Sequence, residues 1–398
     1  MSANHSNNSK PQYDLVVIGA GPAGATTARF AAAKGLRVLL VDKKQELGAP
    51  IQCSGAVSHH ALEQAGVYPL PEFVHEAIYG FAIYNSLGAR KLIDYRLLKP
   101  EAYGDREGAK PLGYVVDRRR FDRSLVAGAE RAGAETWLKT SALGFRTSDD
   151  GSCEVDLLKF NENITVQAGA IVGADGVQSQ VGKWAGIKTH IKLSELASCL
   201  QFIVDGVETE GLLEIITGHQ WAPGGYAWVF PKGNGFAEVG LGITATMCTG
   251  NAQEYLDHFI KHSFFKERFR NCRILEIQGG GVPLAAPLKI QYADNLLLAG
   301  DAARHVNAIT GGGIHTALSS GKIAGEFLAD LLGSGKPATK HNLKGYQDRW
   351  LKEMGNNMWK LYRVKKKIFE TADIKRRDEL LYDTMSDYFG TESEYKKI

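Results

Sequence analysis

Residues 13–42 read YDLVVIGAGPAGATTARFAAAKGLRVLLVD and contain a strand–loop–helix–strand pattern. Residues 13–18 are a short apolar run that ends at a glycine, which predicts a buried strand. A run typical of a helix follows from Ala25, and Gly35 is placed to cap its C-terminus. Residues 36–41 predict the next strand. Such a unit is typical of a parallel, doubly wound sheet with helices on its faces.

The loop of this unit fits the pattern G-x-G-x-x-G. Its three glycines allow a tight turn, a close approach of the backbone to a pyrophosphate and close helix–strand packing. The helix N-terminus offers free N–H groups to phosphates, and an acid at the end of the next strand can bind a ribose 2′-hydroxyl. The pattern therefore predicts dinucleotide binding, with a glycine turn beside a surface aspartate as the alternative. The expected ligands are Gly19, Gly21, Pro22, Ala23, Gly24, Asp42 and Lys43.

Two later segments favour FAD over NAD. Asp175 follows the short apolar run 170–173, and Asp301 follows the apolar run 295–299. Ligands bind at the carboxyl ends of parallel strands, so Asp301 is placed to hold a second polyol, the ribityl chain of a flavin. For Asp175 two interpretations are open, a cofactor contact and the acid of a tight turn between domains.

Together these segments resemble those of flavoprotein hydroxylases and related glutathione-reductase-like two-domain FAD enzymes. The matching segments are residues 19–24, Arg118-x-x-Phe121-Asp122, residues 173–179 and residues 300–303. The resemblance implies that Arg118 lies along the FAD phosphates; the alternative is a solvated helix charge beside Arg119 and Arg120. It also implies that a helix starting near residue 313 faces the flavin, although Ala308 stands where such relatives usually have proline. The expected contacts there are Gly300, Gly311, Gly312, Gly313 and Ile314.

A second resemblance points to one family within these two-domain FAD enzymes. The segment GYAWVFPK at residues 225–232, followed by VGLG at 239–242, resembles a segment of geranylgeranyl reductases. Tyr226, Trp228 and Phe230 share one face of a strand because side chains alternate with a period of two. The resemblance implies that this face contacts a polyprenyl chain, whereas periodicity alone favours a packed aromatic core.

The loop PIQCSG at residues 50–55 resembles the cysteine-bearing loop of the same reductases. It implies that Cys53 faces the flavin; the alternative is a buried filler, as a lone cysteine often is. The resemblance implies an FAD-dependent reductase that saturates geranylgeranyl double bonds of a lipid or prenyl precursor by hydride transfer from reduced flavin N5. An isolated alkene also needs a proton, from Cys53, Tyr226 or an ordered water, and the faces of Tyr226 and Trp228 favour a developing cation.

These observations predict an α/β fold with a glutathione-reductase-like FAD-binding Rossmann domain, an inserted, mostly antiparallel β substrate domain and a helical C-terminal region. We expect a disordered N-terminus at residues 1–10. The expected FAD-binding domain is residues 11–75, 105–185 and 290–340. The expected substrate domain is residues 76–104 and 186–289, and the helical region is residues 341–398.

Composition argues against several classes of protein, namely nucleic-acid-binding, metal-binding, secreted and membrane-spanning proteins. The net charge of +3 gives no electrostatic case for nucleic-acid binding. The five cysteines are dispersed without a C-x-x-C pair, so we expect no metal site and a cytoplasmic setting. Neither a signal peptide nor a membrane span is expected.

The sequence leaves alternatives for the electron donor and for contact with a membrane. Because the chain contains one dinucleotide loop, electrons are expected from transiently bound NAD(P)H or from a ferredoxin-like protein. Apolar residues from Met358 to Ala372 follow a helical spacing with basic neighbours, which suggests either a peripheral helix on a membrane or a helix packed on the protein. Alternative functions are a flavin monooxygenase for an aromatic or polyketide compound and an electron-transfer flavoprotein to a quinone.

Overall fold

A computed structural model describes residues 10–104, 110–148 and 151–390. The disorder expected for residues 1–10 therefore falls outside these residues, except for Lys10. The strands are β1 (Gln12–Ile18), β2 (Val38–Val41), β3 (Ala56–Ser58), β4 (Val74–Ile78), β5 (Gly80–Tyr84), β6 (Arg90–Asp94), β7 (Gly113–Val116), β8 (Glu135–Trp137), β9 (Thr140–Thr147), β10 (Cys153–Lys159), β11 (Glu162–Gly173), β12 (Leu196–Asp205), β13 (Leu213–Thr217), β14 (Tyr226–Pro231), β15 (Phe236–Thr244), β16 (Arg273–Pro283), β17 (Tyr292–Ala293) and β18 (Leu296–Leu298).

The structure contains α-helices and a few short helical segments of other types. Short 3-10 helices lie at Leu193–Glu195, Ala245–Met247 and Gly300–Ala303, and a π-helical segment lies at Leu351–Gly355. The α-helices are α1 (Pro22–Ala32), α2 (His59–Gln64), α3 (Tyr95–Leu98), α4 (Pro100–Tyr103), α5 (Arg118–Arg131), α6 (Gln180–Trp184), α7 (Ala252–His262), α8 (Ile314–Gly333), α9 (Lys340–Trp350), α10 (Asn356–Phe369) and α11 (Ile374–Gly390).

The first sheet has a parallel centre in the order β18-β11-β1-β2-β8. In register, Val17 of β1 lies opposite Val172 of β11 and Leu40 of β2. These strands are apolar on both faces because helices α1, α5 and α8 cover one face and the antiparallel strands β9 and β10 extend over the other. The expected Rossmann-type architecture is confirmed.

The second sheet has the order β16-β12-β15-β14-β13-β5-β6. Its neighbours pair antiparallel except β13 and β5, which are parallel, so the mostly antiparallel second sheet is confirmed. Helix α7 packs on one face and α11 on the other, which divides its side chains between two apolar clusters. A small sheet in the order β3-β7-β4, which the sequence did not indicate, shares an apolar cluster with the first sheet.

The first helix differs in its limits from the sequence expectation. It begins at Pro22, inside the glycine loop, because proline is pre-organised for the first helical turn. It ends at Ala32 with Ala33 as its C-cap. Gly35 has φ +93° and makes the turn toward β2, so it is not the C-cap itself.

The basic helix of the C-terminal region packs on the protein. Met358, Leu361 and Ile368 of α10 are buried, and Lys365 donates a hydrogen bond to the carbonyl oxygen of Leu284. The apolar face of α10 is therefore covered by the protein, which favours the packed helix over insertion of this face into a membrane. Among residues 10–104, 110–148 and 151–390, we find no helix with the length and apolar character needed to span a bilayer.

The contact between α1 and α8 depends on two glycines. A Cβ atom at Gly321 would lie 2.4 Å from the carbonyl oxygen of Ala23, and one at Gly325 would lie 2.5 Å from that of Thr27. Both clashes involve backbone, which cannot rotate away as a side chain can. The two helices therefore approach more closely than side chains would allow.

We predict that Gly325→Ala lowers the free energy of unfolding by about 1–3 kcal/mol through overpacking of this contact. Gly333→Ala, near the exposed end of the same helix, is the control because its Cβ would meet nothing within 4 Å. The control should be neutral or slightly stabilising. Urea unfolding of both variants measures the difference, and equal stability of the two would contradict the prediction.

Candidate functional site

One cavity of about 390 Å³ lies between the parallel sheet and the second sheet. Its walls come from the glycine loop, the loop of residues 48–58, the N-terminus of α5, the inner face of the second sheet and the loop before α8. Residues of α10 and α11 close its far side. The volume falls in the range of ligand-binding sites.

The glycine loop forms one wall, with Gly21, Pro22 and Ala23 lining the cavity. Gly19 and Gly24 lie behind it and serve packing: a Cβ on Gly24 would lie 1.8 Å from the carbonyl oxygen of Gly19. Gly21 is the N-cap of α1 and makes no side-chain cap, so the first N–H groups of that helix are free for an anion.

Asp42 stabilises this wall of the cavity through hydrogen bonds to two backbone N–H groups. One of its carboxylate oxygens accepts a hydrogen bond from the Ala20 N–H at 2.8 Å and the other accepts from the Lys44 N–H at 2.8 Å. Lys43 is exposed and does not line the cavity, whereas Lys44 does. The turn after β2 directs the Lys43 side chain outward, so Lys44 is the lysine that borders the cavity, and a contact of Lys43 with a cofactor stays a prediction.

Arg118 lies inside the cavity wall rather than in solvent. Its side chain is 15% exposed and forms two hydrogen bonds to Asp122, at 3.1 and 3.0 Å. Asp122 and the sulfur of Cys53 lie beside the guanidinium and raise the pKa of Arg118, against the effect of burial. Arg119 and Arg120 point away and remain more exposed. The solvated-charge interpretation therefore fits its two neighbours and not Arg118.

A buried carboxyl and a second uncapped helix face the same space. Asp301 lines the cavity, and burial raises its pKa to about 6 although the Arg118 charge opposes the change. Helix α8 begins at Ile314, and its N-cap, Gly313, offers no side-chain cap. Gly311, Gly312 and Gly313 line the cavity, whereas Gly300 lies beneath it with φ +63°.

Asp175 has a local structural partner. One of its carboxylate oxygens accepts a hydrogen bond from the Val181 N–H at 3.0 Å, at the start of α6, and the other is buried with no partner in the described part of the chain. Asp175 does not line the cavity, although Ala174 and Gly176 do. The contacts favour the turn interpretation over direct contact with a cofactor.

The aromatic residues of β14 share one face, and that face is a cavity wall. Tyr226 and Trp228 have ring centroids 5.9 Å apart, and Trp228 and Phe230 have centroids 6.2 Å apart. Gly242 and Gly240 lie opposite the first two on β15, and the missing side chain of Gly240 leaves room for the Trp228 ring. The Trp228 Nε1 is buried and has no hydrogen-bond partner among the described residues.

Cys53 lies in the same cavity. Its sulfur accepts a hydrogen bond from the Gly55 N–H at 3.4 Å and lies beside the Arg118 guanidinium. The Tyr226 hydroxyl donates to the carbonyl oxygen of Thr310, and burial raises the pKa of this tyrosine. Cys53, Arg118 and Tyr226 come from three separate sequence motifs, and the structure brings them together in one cavity.

Several cavity residues had no sequence signal of their own. Cys199 lies opposite Gly242, and burial raises the pKa of its thiol to about 12. His315 follows the glycine loop of α8, and burial lowers its pKa to about 4, so it is neutral near pH 7. Strand register and tertiary packing place these groups. The other such lining residues include Gln201, Gln278, Thr310, Phe369, Leu381, Tyr388 and Phe389.

Comparison with known proteins agrees with this geometry. Residues 12–209 match the FAD binding domain family, and residues 195–282 match the geranylgeranyl reductase catalytic domain. A digeranylgeranylglycerophospholipid reductase from Methanothrix thermoacetophila is 38% identical over 87% of this chain and 84% of the relative. The protein of that name from Methanosarcina acetivorans is 37% identical over 88% and 83%.

Solved structures extend the comparison. A geranylgeranyl bacteriochlorophyll reductase-like protein from Thermoplasma acidophilum has a TM-score of 0.85 and 29% identity, covering 96% of this chain and 92% of that chain. A p-nitrophenol 4-monooxygenase from Pseudomonas putida, with a TM-score of 0.74, 16% identity and coverage of 97% and 96%, shares the fold alone. The chain therefore belongs to the FAD-dependent geranylgeranyl reductase family, which includes the digeranylgeranylglycerophospholipid reductases.

Proposed function

We propose that this protein saturates isoprenoid double bonds of a digeranylgeranylglycerophospholipid, with FAD as its cofactor. One observation carries the proposal: a single cavity joins the phosphate-type glycine loop at one wall to the aromatic and aliphatic wall of the second sheet. A dinucleotide and a long apolar chain would therefore meet in one space. The curated relatives, which carry that lipid in their names, support the choice of substrate.

The residues present suit FAD. The free N–H groups at the start of α1 suit a pyrophosphate, and Arg118 adds a fixed positive charge at the same wall. Asp42 is held where an adenosine ribose would bind, and Asp301 supplies a buried acceptor for a second polyol. When bound and reduced, this cofactor supplies the hydride for the alkene.

We assign the proton to Cys53. The Tyr226 hydroxyl already donates a hydrogen bond to the carbonyl oxygen of Thr310. Burial raises the pKa of this hydroxyl, so loss of its proton would leave an unfavourable buried phenolate. Proton loss from Cys53 leaves a thiolate that the Arg118 guanidinium and the Gly55 N–H both stabilise. Tyr226 then orients the loop before α8 rather than donating the proton.

The aromatic wall supports the other half of the reaction. Protonation of an isolated alkene places positive charge on the more substituted carbon. The faces of Tyr226 and Trp228 line the cavity and favour a cation by their ring quadrupoles. Phe230 and its apolar neighbours exclude water that would capture the cation.

We infer that electrons reach the cofactor from transiently bound NAD(P)H or from a ferredoxin-like protein. The described residues contain one glycine loop of the dinucleotide type, which supports an external donor. All five cysteines are unpaired thiols, which supports a reducing, cytoplasmic setting.

The function itself is tested by anaerobic turnover. We expect the purified, yellow protein, once its flavin is reduced, to add one H₂ for each double bond saturated in a digeranylgeranylglycerophospholipid, as detected by mass spectrometry. Retention of all double bonds, together with oxygen uptake and a hydroxylated product in air, would instead identify the monooxygenase that the fold also accommodates.

Cys53→Ala should lower turnover by about 100-fold or more because the proton donor is removed. FAD content, measured from the absorption spectrum, should stay unchanged, since Arg118 keeps its two hydrogen bonds to Asp122 without the cysteine. Cys272→Ala is the matched control, because that thiol lies outside the cavity. Loss of FAD from Cys53→Ala would make this cysteine structural instead.

Asp301 should make FAD binding depend on pH. Its carboxyl, with a pKa of about 6, gains a proton as the pH falls, and the neutral acid is a weaker acceptor for a polyol. FAD affinity should therefore weaken by about tenfold from pH 7.5 to pH 5. Asp301→Asn should bind FAD weakly at both pH values. Fluorescence titration with FAD measures both proteins, and a pH dependence retained in the variant would exclude Asp301 as its source.

A further inference from the structure

The inner face of the second sheet carries a row of paired residues that crosses four strands. Tyr226 of β14 lies opposite Gly242 of β15, and Gly242 lies opposite Cys199 of β12. On its other side, Cys199 pairs with Gly280 of β16. Directly opposite residues of neighbouring strands project to the same face of a sheet. All four residues line the cavity, so this row forms part of its wall.

Two glycines of this wall are covered by protein. A Cβ atom at Gly280 would lie 2.8 Å from the Cβ of Gln52, in the loop that carries Cys53. A Cβ atom at Gly240 would lie 2.6 Å from the Cζ2 of Trp228. Neighbouring side chains therefore occupy the space that each of these two glycines leaves.

Gly242 differs from both. Among the described residues, a Cβ atom at Gly242 would meet a single atom within 4 Å, the Cys199 Sγ at 3.0 Å. The Tyr226 ring does not cover this point, and its hydroxyl is fixed because it donates to the carbonyl oxygen of Thr310. The space of a methyl group beside Gly242 is therefore open to the cavity. We call this space, between Tyr226 and Cys199, the Gly242 recess.

The shape of the Gly242 recess suits a branched chain. Empty space beside buried atoms is unfavourable, because the atoms that line it lose dispersion contacts on one side. An isoprenoid carries a methyl branch on one carbon of each double bond, whereas a linear acyl chain carries none. A methyl branch placed in the recess would restore the missing contacts with the Tyr226 ring and the Cys199 sulfur.

We propose that the Gly242 recess binds the methyl branch of the reacting isoprene unit and thereby selects branched over linear alkenes. This assignment rests on the proposed function for its choice of an isoprenoid. It also orients the double bond. The methyl-bearing carbon lies beside the Tyr226 ring, whose face favours positive charge on that carbon. The less substituted carbon lies along the row toward Gly280 and the loop of Cys53, the proton donor.

The test uses the full-length, FAD-loaded protein and two alcohols of equal main-chain length. One is geranylgeraniol, and the other is its unbranched analogue, which keeps the double bonds and lacks the methyl branches. Binding is measured from the perturbation of the flavin absorption spectrum, which needs no turnover. Gly242→Ala should weaken geranylgeraniol binding by about 10- to 100-fold, because the alanine methyl fills the recess. Binding of the unbranched alcohol should change less than about threefold.

A second substitution enlarges the recess instead. Cys199→Ala removes the sulfur that borders it, which gives the branch room beside an alanine at position 242. The double variant Gly242→Ala with Cys199→Ala should therefore bind geranylgeraniol at least about threefold more tightly than Gly242→Ala alone. Gly144→Ala is the matched control, because this strand glycine lies outside the cavity and its Cβ would meet nothing within 4 Å. It should bind both alcohols as the wild type does.

Three results would overturn the assignment. Equal loss of both alcohols in Gly242→Ala would indicate a distorted sheet, and no loss of either would show that the branch lies elsewhere. Loss of FAD from this variant would assign the recess to the cofactor. If Gly242→Ala does not fold, Cys199→Met is measured in its place, because its flexible side chain enters the recess from the opposite border and should cause the same selective loss.

Turnover of the phospholipid separates this proposal from the function. Saturation by the wild type, with no selective loss of geranylgeraniol in Gly242→Ala, would reject the recess and leave the reductase activity in place. Branch-selective binding that depends on Gly242, without saturation of any prenyl lipid, would reject the reductase function and leave the recess in place.

Discussion

The close contact of α1 with α8 is the constraint on which the rest of the site depends. Gly321 and Gly325 bring the backbones of the two helices together at Ala23 and Thr27. Both helices start at the cavity with uncapped N-termini, so their free N–H groups face one space. If side chains separated the helices, the loop that binds phosphate and the loop that precedes α8 would no longer border a single ligand.

The opposite wall uses glycine in a different way. Gly240 and Gly242 of β15 lie opposite Trp228 and Tyr226, and the Trp228 ring covers the space that a side chain at Gly240 would occupy. Gly280 on β16 leaves similar room for Gln52, in the loop that carries Cys53. The glycines therefore form a shallow groove on the inner face of the second sheet, and the aromatic rings of β14 line it. Its shape lets the cysteine loop and the aromatic residues face each other across the substrate space.

The sequence predicted those parts of the molecule that local patterns specify. The unit β1-α1-β2 follows from apolar runs and glycines, and Tyr226, Trp228 and Phe230 share a face because of the strand period. It could not predict that Asp175 would bond to Val181, because that partner depends on how α6 folds back. Nor could it distinguish Lys43 from Lys44, since the direction of two adjacent lysines depends on one turn. Cys199 and His315 reach the cavity through register and packing that a single sequence does not reveal.

The strand order of the first sheet has a consequence for synthesis of the chain. Strand β11 lies between β1 and β18, and five of the seven strands of the second sheet, β12 to β16, are encoded between β11 and β18. On the side away from β1, β10 pairs with the first half of β11, but residues 171–173 have no neighbour there until residues 296–298 emerge from the ribosome. Distant pairings of this kind form slowly and leave apolar edges open to aggregation. Most of the second sheet must therefore be made before the first sheet can be completed, and a nascent chain halted between the two would expose residues 171–173 of β11 to chaperones.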